Sequence, residues 1–499
     1  MNWSLRLDSR RAARRGLACL ACLILWLTPA SALAHHVPVE PAAQVSGPQY
    51  LIQPGDTLFA IAFRFGTTVE ALVAANPGVN ANALPVGSPL IIPGYEDLSG
   101  ELKFDEVGPG ESLESVARRL NTPVADLARL NRMVNPANAY LGLPIVYPVA
   151  NAPDGPLISG QLHILRPGES LLEVAAGQIL SPWALALIND RPSPALQLTG
   201  LPVVGPADEE APAGGLPVPF ASIQLLPSIA IQGQTLEIVV ELTEPAEVSG
   251  ALSQFGALPP PAEMSPYACL YPTRTLHFAV QGNQAIALQG TCALASPGLL
   301  ALDLTATDGL GRAVSFTQLL PLAEGDYGAE SLTVPSETLD PVIIQREVDA
   351  IRAVATNFTP DRMWDGVFQR PSEFGEFRSY FGTRRSYNDG PFDSFHGGLD
   401  FSGQIGTPIY APAPGIVVLA EPNFVVYGGV TYIDHGWGVY SGYLHQSKIE
   451  VAVGDRVQTG QEIGQVGNTG RVTGPHLHWE IWVGGATVEP LEWLERTFP

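Results

Sequence analysis

Apolar positions in this chain fall into three successive regimes. From Tyr50 to about Val204, short apolar runs lead into helix-spaced ones, and the arrangement comes three times. Pro54-Gly55-Asp56-Thr57-Leu58 returns as Pro109-Gly110-Glu111-Ser112-Leu113 and as Pro167-Gly168-Glu169-Ser170-Leu171, each followed 22 residues after its Pro by an Asn (Asn76, Asn131, Asn189). Copies at a fixed internal distance predict three units of one fold. Each predicts a short strand, a turn, two short helices and a returning strand. In the first, Tyr50 to Gln53 lead in, Asp56 caps a helix over Leu58 to Phe65, Thr67 and Glu70 make a capping box for the next helix, and Leu90 to Pro93 return. The other copies use Thr122-Pro123 and Ser181-Pro182, with Pro at the first helical position.

A Pro/Gly/Glu stretch from Gly205 to Pro219 ends this regime. Alternating or β-rich runs follow at Leu236 to Leu242, Ala246 to Ser253, Leu276 to Val280, Ala285 to Leu288, Leu299 to Thr307 and Ala313 to Leu320. Short strands at this spacing suggest an immunoglobulin-like β-sandwich. No catalytic constellation lies in it, and spacer and docking surface both remain open. Asp340 and Pro341 then open a predicted helix through about Asn357, and the remainder reads as almost all β.

Five of the nine histidines fall between His396 and His478, in a chain region rich in glycine and strand formers. His396 stands four residues before Asp400, and His476 two before His478. Two imidazoles and a carboxylate are the donor set of a catalytic zinc ion that keeps a fourth position for water. In a strand, His476 and His478 point to one face, so one can ligate while the other works on the water. Tyr443 and His445 make a second expected same-face pair on a neighbouring strand, which brings His445 to the same pocket. His435 reads as a packed, hydrogen-bonded core histidine.

The segments Tyr-Phe-Gly-Thr-Arg-Arg (380 to 385), Phe-His-Gly-Gly-Leu-Asp-Phe (395 to 401), Gly-Thr-Pro-Ile-Tyr-Ala-Pro (406 to 412), Gly-Tyr-Leu-His (442 to 445) and Gly-Asn-Thr-Gly-Arg-Val-Thr-Gly-Pro-His-Leu-His-Trp-Glu (467 to 480) resemble the lysostaphin-type (LytM-like) zinc metalloendopeptidases, which cut peptidoglycan peptides. The resemblance implies one Zn2+ per catalytic domain held by His396, Asp400 and His478, with His476 as general base and His445 assisting at the oxyanion. Arg384 and Tyr387 are further candidates for holding a substrate carboxylate or the oxyanion. Some family members lack ligands and only activate a separate amidase; the filled set here favours catalysis, with the wall-binding activator as alternative. A lipoyl- or biotinyl-type carrier is disfavoured because no lysine occupies the Gly460 to Gly464 turn, and D-alanyl-D-alanine carboxypeptidases space their first His and Asp more widely. The three repeats are similar to LysM, the β-α-α-β module that binds N-acetylglucosamine glycans. The third departs from it at Gly177-Gln178-Ile179 and Leu180.

The rest of the composition sets the compartment. Arg6, Arg10, Arg11, Arg14 and Arg15 precede an apolar run from Leu17 to Leu27, and Ala32-Leu33-Ala34 offers a cleavage site, the layout of a signal peptide. Cleavage leaves Cys269 and Cys292, expected to pair in an oxidising compartment and to stabilise by about 3 kcal/mol. A net charge of −23 argues against nucleic acid and against electrostatic capture by anionic polymers or lipids.

The expected architecture is therefore multidomain and mainly β: signal peptide 1–34, LysM repeats at 48–94, 102–149 and 161–205 (the last degenerate), linker 206–219, sandwich 220–327, a helical linker 328–365, and an all-β lysostaphin-like (duplicated hybrid motif) zinc peptidase at 366–499. The expected partner is peptidoglycan, its peptide cross-links as substrate and its glycan as anchor. The expected location is extracellular, cell wall-associated or periplasmic, with no stable membrane insertion after cleavage.

Overall fold

The structure, a computed structural model, describes residues 46–499 except 82, 150–161, 167–168, 178–179, 190, 192, 196–199, 201, 206–215, 256–272 and 374–375. The expected signal peptide, most of the expected linker and Cys269 lie outside the described residues. Among the described residues no single helix is long and apolar enough to cross a membrane.

Each repeat folds as strand, helix, helix, strand. In the first these are Gln49–Leu51, Leu58–Phe65, Val69–Ala75 and Pro89–Ile91. Both N-caps lie one residue beyond the expected ones, while the first helix spans Leu58–Phe65 as expected. Thr57 accepts from the Ala60 amide and Thr68 from the Ala71 amide. Asp56 turns back instead, taking the Tyr50 hydroxyl at 2.6 Å and the Gln53 amide at 2.7 Å, so it closes the turn and not the helix. Gly66 ends the first helix at φ 64°, the left-handed conformation that a residue without Cβ adopts at least cost. In the second repeat Pro123 is the N-cap of Val124–Leu130, outside the helix, whereas Pro182 does open Pro182–Ile188 in the third.

The recurring Asn has a physical role. Asn76 Nδ2 donates to Leu72 O and Ile91 O, and its Oδ1 accepts from the Ile91 amide. Asn131 does the same with Leu127 and Val146, and Asn189 with Leu185 and Val204. One side chain thus satisfies helix-end and strand groups that burial would leave unpaired. The first two repeats also share one four-stranded sheet, because Gln49–Leu51 pairs in parallel with Glu101–Glu106. The third keeps its own two-stranded sheet, Leu162–Ile164 with Pro202–Val204.

Next come a five-stranded and a four-stranded sheet around a common apolar core that includes Leu236, Ile238, Val240, Leu302 and Leu304. The expected strand Leu276 to Val280 is two strands: Arg274–Leu276 joins one sheet and Ala279–Gln281 the other. Phe220–Leu226, not expected from the sequence, edges the four-stranded sheet.

The outer face of that sheet is buried too. Val239, Ile286 and Leu288 belong to the core of the C-terminal unit, together with Trp364, Trp437, Trp479 and Trp493. Around this seam the Thr235 amide donates to Glu492 at 2.7 Å, Trp493 Nε1 to the Thr235 hydroxyl at 3.1 Å, and the Glu489 amide to Gly233 O at 2.7 Å. A Cβ at Gly290 would meet Val488 at 2.7 Å, so the two units approach too closely there for any side chain. The C-terminal core also reaches back to Trp364 and Phe358, ahead of Gly366.

The C-terminal unit is built on an eight-stranded sheet whose centre runs Leu399–Ser402, His476–Val483, Val439–Gln446, Gly428–Gly436. Before it comes the helix Pro341–Ala355, with Asp340 accepting from the Val342 and Ile343 amides as its cap. Val348 of this helix packs on Val426, and Ile351 and Ala355 pack on Tyr432, Tyr440 and Leu444 of the sheet.

Candidate metal centre and catalytic cleft

Asp400 and His478 are register partners on adjacent antiparallel strands. His396 enters from the loop before them, where a Cβ at Gly398 would meet Trp479 O at 2.3 Å; the two glycines after His396 let the loop lie flat on the strand. His396 Nε2, Asp400 Oδ1 and His478 Nδ1 form a triangle with sides of 2.8, 2.9 and 2.9 Å. The group is buried and is the His/Asp set able to hold a metal ion among the described residues.

The outer hydrogen bonds decide where the protons are. His396 Nδ1 lies 3.0 Å from Tyr380 O, and His478 Nε2 lies 3.1 Å from Glu480 Oε1. A carbonyl and a carboxylate can only accept, so those two nitrogens carry the hydrogens and the inward-facing nitrogens present lone pairs. Three acceptors then converge with no donor among them, and a cation suits that triangle. The titration tendencies agree. Burial pushes His396 down to about 4, against the attraction of Asp400. Burial alone would raise Asp400, but the His396 and His478 charges and hydrogen bonds hold it well below the carboxylate range. His478 is driven down by burial and up by Asp400 and Glu480, and rises to about 9, so a proton occupies the triangle when no metal does.

His476 and His445 flank the triangle, their rings 5.0 Å apart and His476 Nε2 3.6 Å from Asp400 Oδ1. Each uses Nδ1–H on a carbonyl, His476 on Gly474 at 2.7 Å and His445 on Thr469 at 2.8 Å, which leaves Nε2 of both as an acceptor. Burial, then repulsion from His476 and His478, keeps His445 well below its usual range and neutral.

The expected same-face pairing of Tyr443 with His445 does not hold. Tyr443 opposes Trp479 across the strands and sits with it in the core, while Leu444 opposes His478 and lines the cleft. Regular alternation would send His445 into the core behind Tyr443. His445 instead has φ 63°, and this left-handed residue swings its ring back into the cleft, at a cost of about 1–2 kcal/mol.

Other expectations divide. His435 is buried away from the cleft, on Pro414 O and the Ser441 hydroxyl, both at 2.8 Å. Arg384 turns away, to Ala293 O at 2.6 Å and the Tyr327 ring. Tyr387 does line the cleft, with Arg471 4.4 Å above its ring. Arg385, overlooked in the sequence, lies 4.0 Å from Asp400 Oδ2 and is anchored by Glu330 at 2.7 Å. Glu480 was also overlooked, although it continues the two-residue spacing of His476 and His478 on the same face. The cleft has a volume of about 280 Å³ and collects Arg274, Arg352, Arg378, Arg385 and Arg471, the first of them contributed by the sandwich.

Residues 394–490 match the family model of Peptidase family M23, and residues 50–93 and 106–148 match the LysM domain. The chain carries an M23 peptidase domain and two LysM domains. Over 97 residues it is 47% identical to peptidoglycan DD-endopeptidase ShyA of Vibrio cholerae, covering 19% of this chain and 22% of that one. Over 128 residues it is 39% identical to peptidoglycan DD-endopeptidase ShyC of the same organism, covering 26% and 29%. The matched stretches thus span under a third of these relatives. The catalytic domain of the antimicrobial peptidase lysostaphin from Staphylococcus simulans is 30% identical, covering 26% of this chain and 90% of that one, with a TM-score of 0.20.

Proposed function

We propose that this protein is an exported peptidoglycan hydrolase, a zinc-dependent endopeptidase that cuts peptide cross-links of the bacterial wall and is held on the glycan by its repeats. The triangle of three inward acceptors on His396, Asp400 and His478 carries the reading, because their outer hydrogen bonds turn all three toward one point that a metal ion would fill. One zinc ion per chain would be held there, polarising the scissile carbonyl and acidifying a water. His476 Nε2, a lone pair beside Asp400, is placed to take the proton of the attacking water and pass it to the leaving amine. His445 offers a second lone pair; either imidazole, once protonated, becomes a donor to the developing oxyanion. Five arginines around the cleft of a chain with net charge −23 suit a peptide bearing carboxylates.

The remaining parts fit the same reading. Residues 1–34 would be removed as a signal peptide, and Cys269 with Cys292 would form a disulfide in the oxidising space beyond the membrane. The first repeat, with the second beside it, would act as a LysM module recognising N-acetylglucosamine, while the third, a degenerate copy, shares the Asn clamp of the fold. The double sheet over 220–327 would be an immunoglobulin-like sandwich.

The test loads the full chain with zinc, incubates it with purified wall, and counts new amino groups and reducing ends separately. New amines without reducing ends are expected. His478→Ala or Asp400→Ala should abolish both metal and activity, whereas His476→Ala and His445→Ala should keep one zinc and lose activity about 10²- to 10³-fold. No new amines on any wall, together with stimulation of an added amidase, would make the protein an activator.

A further inference from the structure

His445 reaches the cleft only because its backbone is left-handed, so something must hold it there. Its amide donates to Tyr427 O at 3.0 Å and its Nδ1 to Thr469 O at 2.8 Å. The segment carrying Tyr427 is itself held from outside the sheet. Glu347, on the helix Pro341–Ala355, is fully buried. Its Oε1 accepts from the Val425 amide at 2.6 Å, and its Oε2 from the Val426 and Tyr427 amides at 2.9 and 3.3 Å. Arg346, its neighbour on the same helix, stays 3.6 Å from Oε1 and largely in solvent.

Three successive amides therefore aim inward at one carboxylate, and the carbonyls of the last two residues accept from segments that line the cleft. Val426 O takes the Arg471 amide at 2.8 Å, just as Tyr427 O takes that of His445. A hydroxyl or an amide side chain could not accept from all three without presenting a hydrogen of its own. Directly after this segment, Gly428 (φ 67°) lies so close to Thr469 that a Cβ would come within 2.3 Å of its hydroxyl, which ties the segment to the second anchor of His445. The helix lies outside residues 394–490, the stretch that matches the peptidase family.

We infer that Glu347 is a positioning residue for the hydrolysis: through the amides of Val425, Val426 and Tyr427 it holds His445 in its left-handed conformation beside the metal triangle. The helix is thereby part of the catalytic apparatus and not a connector. This inference rests on the endopeptidase reading above, in which His445 serves the proton transfer and the developing oxyanion.

Glu347→Gln keeps the volume and removes one acceptor. Measured on the full zinc-loaded chain with soluble cross-linked wall peptides, it should lower kcat about tenfold, leave KM within about twofold, and leave the bound zinc unchanged. Amide exchange should quicken at 425–427 and at His445 and stay unaltered at His396 and Asp400. In a His445→Ala background the same substitution should have no further effect on kcat, since the group it positions is gone. Should Glu347→Gln not fold, Glu347→Asp, which keeps the charge and shortens the reach, is held to the same three readouts. An unchanged kcat, a loss of zinc, or an equal tenfold loss in the His445→Ala background would overturn the inference. Wild-type activity in His445→Ala alone would instead overturn the role given to His445, and the two failures are told apart by that single variant.

Discussion

Toward the repeats the sandwich offers Gln318 to the Gly110 amide at 2.6 Å, Leu319 O to the Leu141 amide at 2.9 Å, and Asp308 and Glu244 to Arg166 at 2.9 and 3.3 Å. Toward the peptidase it gives up Val239, Ile286 and Leu288 to a core shared with four tryptophans of the C-terminal region, Trp364, Trp437, Trp479 and Trp493. Apart from Leu141, which packs on the edge of the sandwich core, the first joint exchanges hydrogen bonds to water for hydrogen bonds to protein, with a small net gain for each. The second removes apolar surface from water, at about 25 cal/mol per Å². The sandwich, open at first to a reading as spacer, is by this measure a structural half of the peptidase, and the cleft-lining Arg274 is its direct contribution.

The largest expected effect comes from cutting at each joint. Removing residues 48–205 should leave hydrolysis of a soluble wall peptide within about twofold and shift the Tm of the remainder by no more than about 5 °C, while retention on insoluble wall is lost. Removing residues 220–327 should abolish cooperative unfolding and activity together, because Trp493 and its neighbours lose their cover. A fully active peptidase without the sandwich would erase the distinction between the joints.

A smaller effect sharpens the apolar joint. Burial pushes Glu492 up from 4.5 to about 7, against the hydrogen bonds of Thr235 and the charge of Arg496. The folded state therefore binds more protons than the unfolded one between those values. The contribution of Glu492 to stability is complete below about pH 4.5 and is lost as pH rises through about 7. Glu492→Gln should flatten the pH dependence of stability in that window by up to one proton, about 1.4 kcal/mol per pH unit. Chemical denaturation at a series of pH values reads it directly, and an unchanged slope would place the carboxylate in water.

The smallest effect belongs to the polar joint. Glu244→Ala, which removes the exposed partner of Arg166, should lower the Tm by about 1–2 °C at low salt, with the difference shrinking as salt rises and with no change in peptide hydrolysis. A larger, salt-independent loss would mean that this joint is held by packing as well.

How much of this was legible follows from the range of each signal. His396, Asp400, His476 and His478 declare themselves because their spacing of four and two residues is local, and strand pairing then needs only to bring two segments together. The Asn of each repeat was visible as a fixed distance, although its purpose needed the return strand it clamps. His445 was expected at this pocket and lies there, but its same-face pairing with Tyr443 fails, because nothing in Gly-Tyr-Leu-His announces a left-handed backbone; the cause lies far off, in the 425–427 segment and Thr469. The second burial of the four-stranded sheet did leave a trace. Gln284–Gly290 and Thr235–Leu242 run almost without exposed positions, which is how strands covered on both faces read, and period-two reasoning passed over it.

The sheet shared by the first two repeats carries a consequence for how a polymer is held. Two grips on a loose tether search a volume for their second hold, and part of the affinity is lost to that search. Backbone pairing of Gln49 with Glu101 removes the tether and welds the two modules edge to edge. Under the proposed glycan-binding role, a chain seized by the first would be presented to the second at one distance and one angle. The pair would then work as a gauge: a strand whose pitch agrees would be held twice at no extra ordering cost, and a strand whose pitch disagrees would be held once.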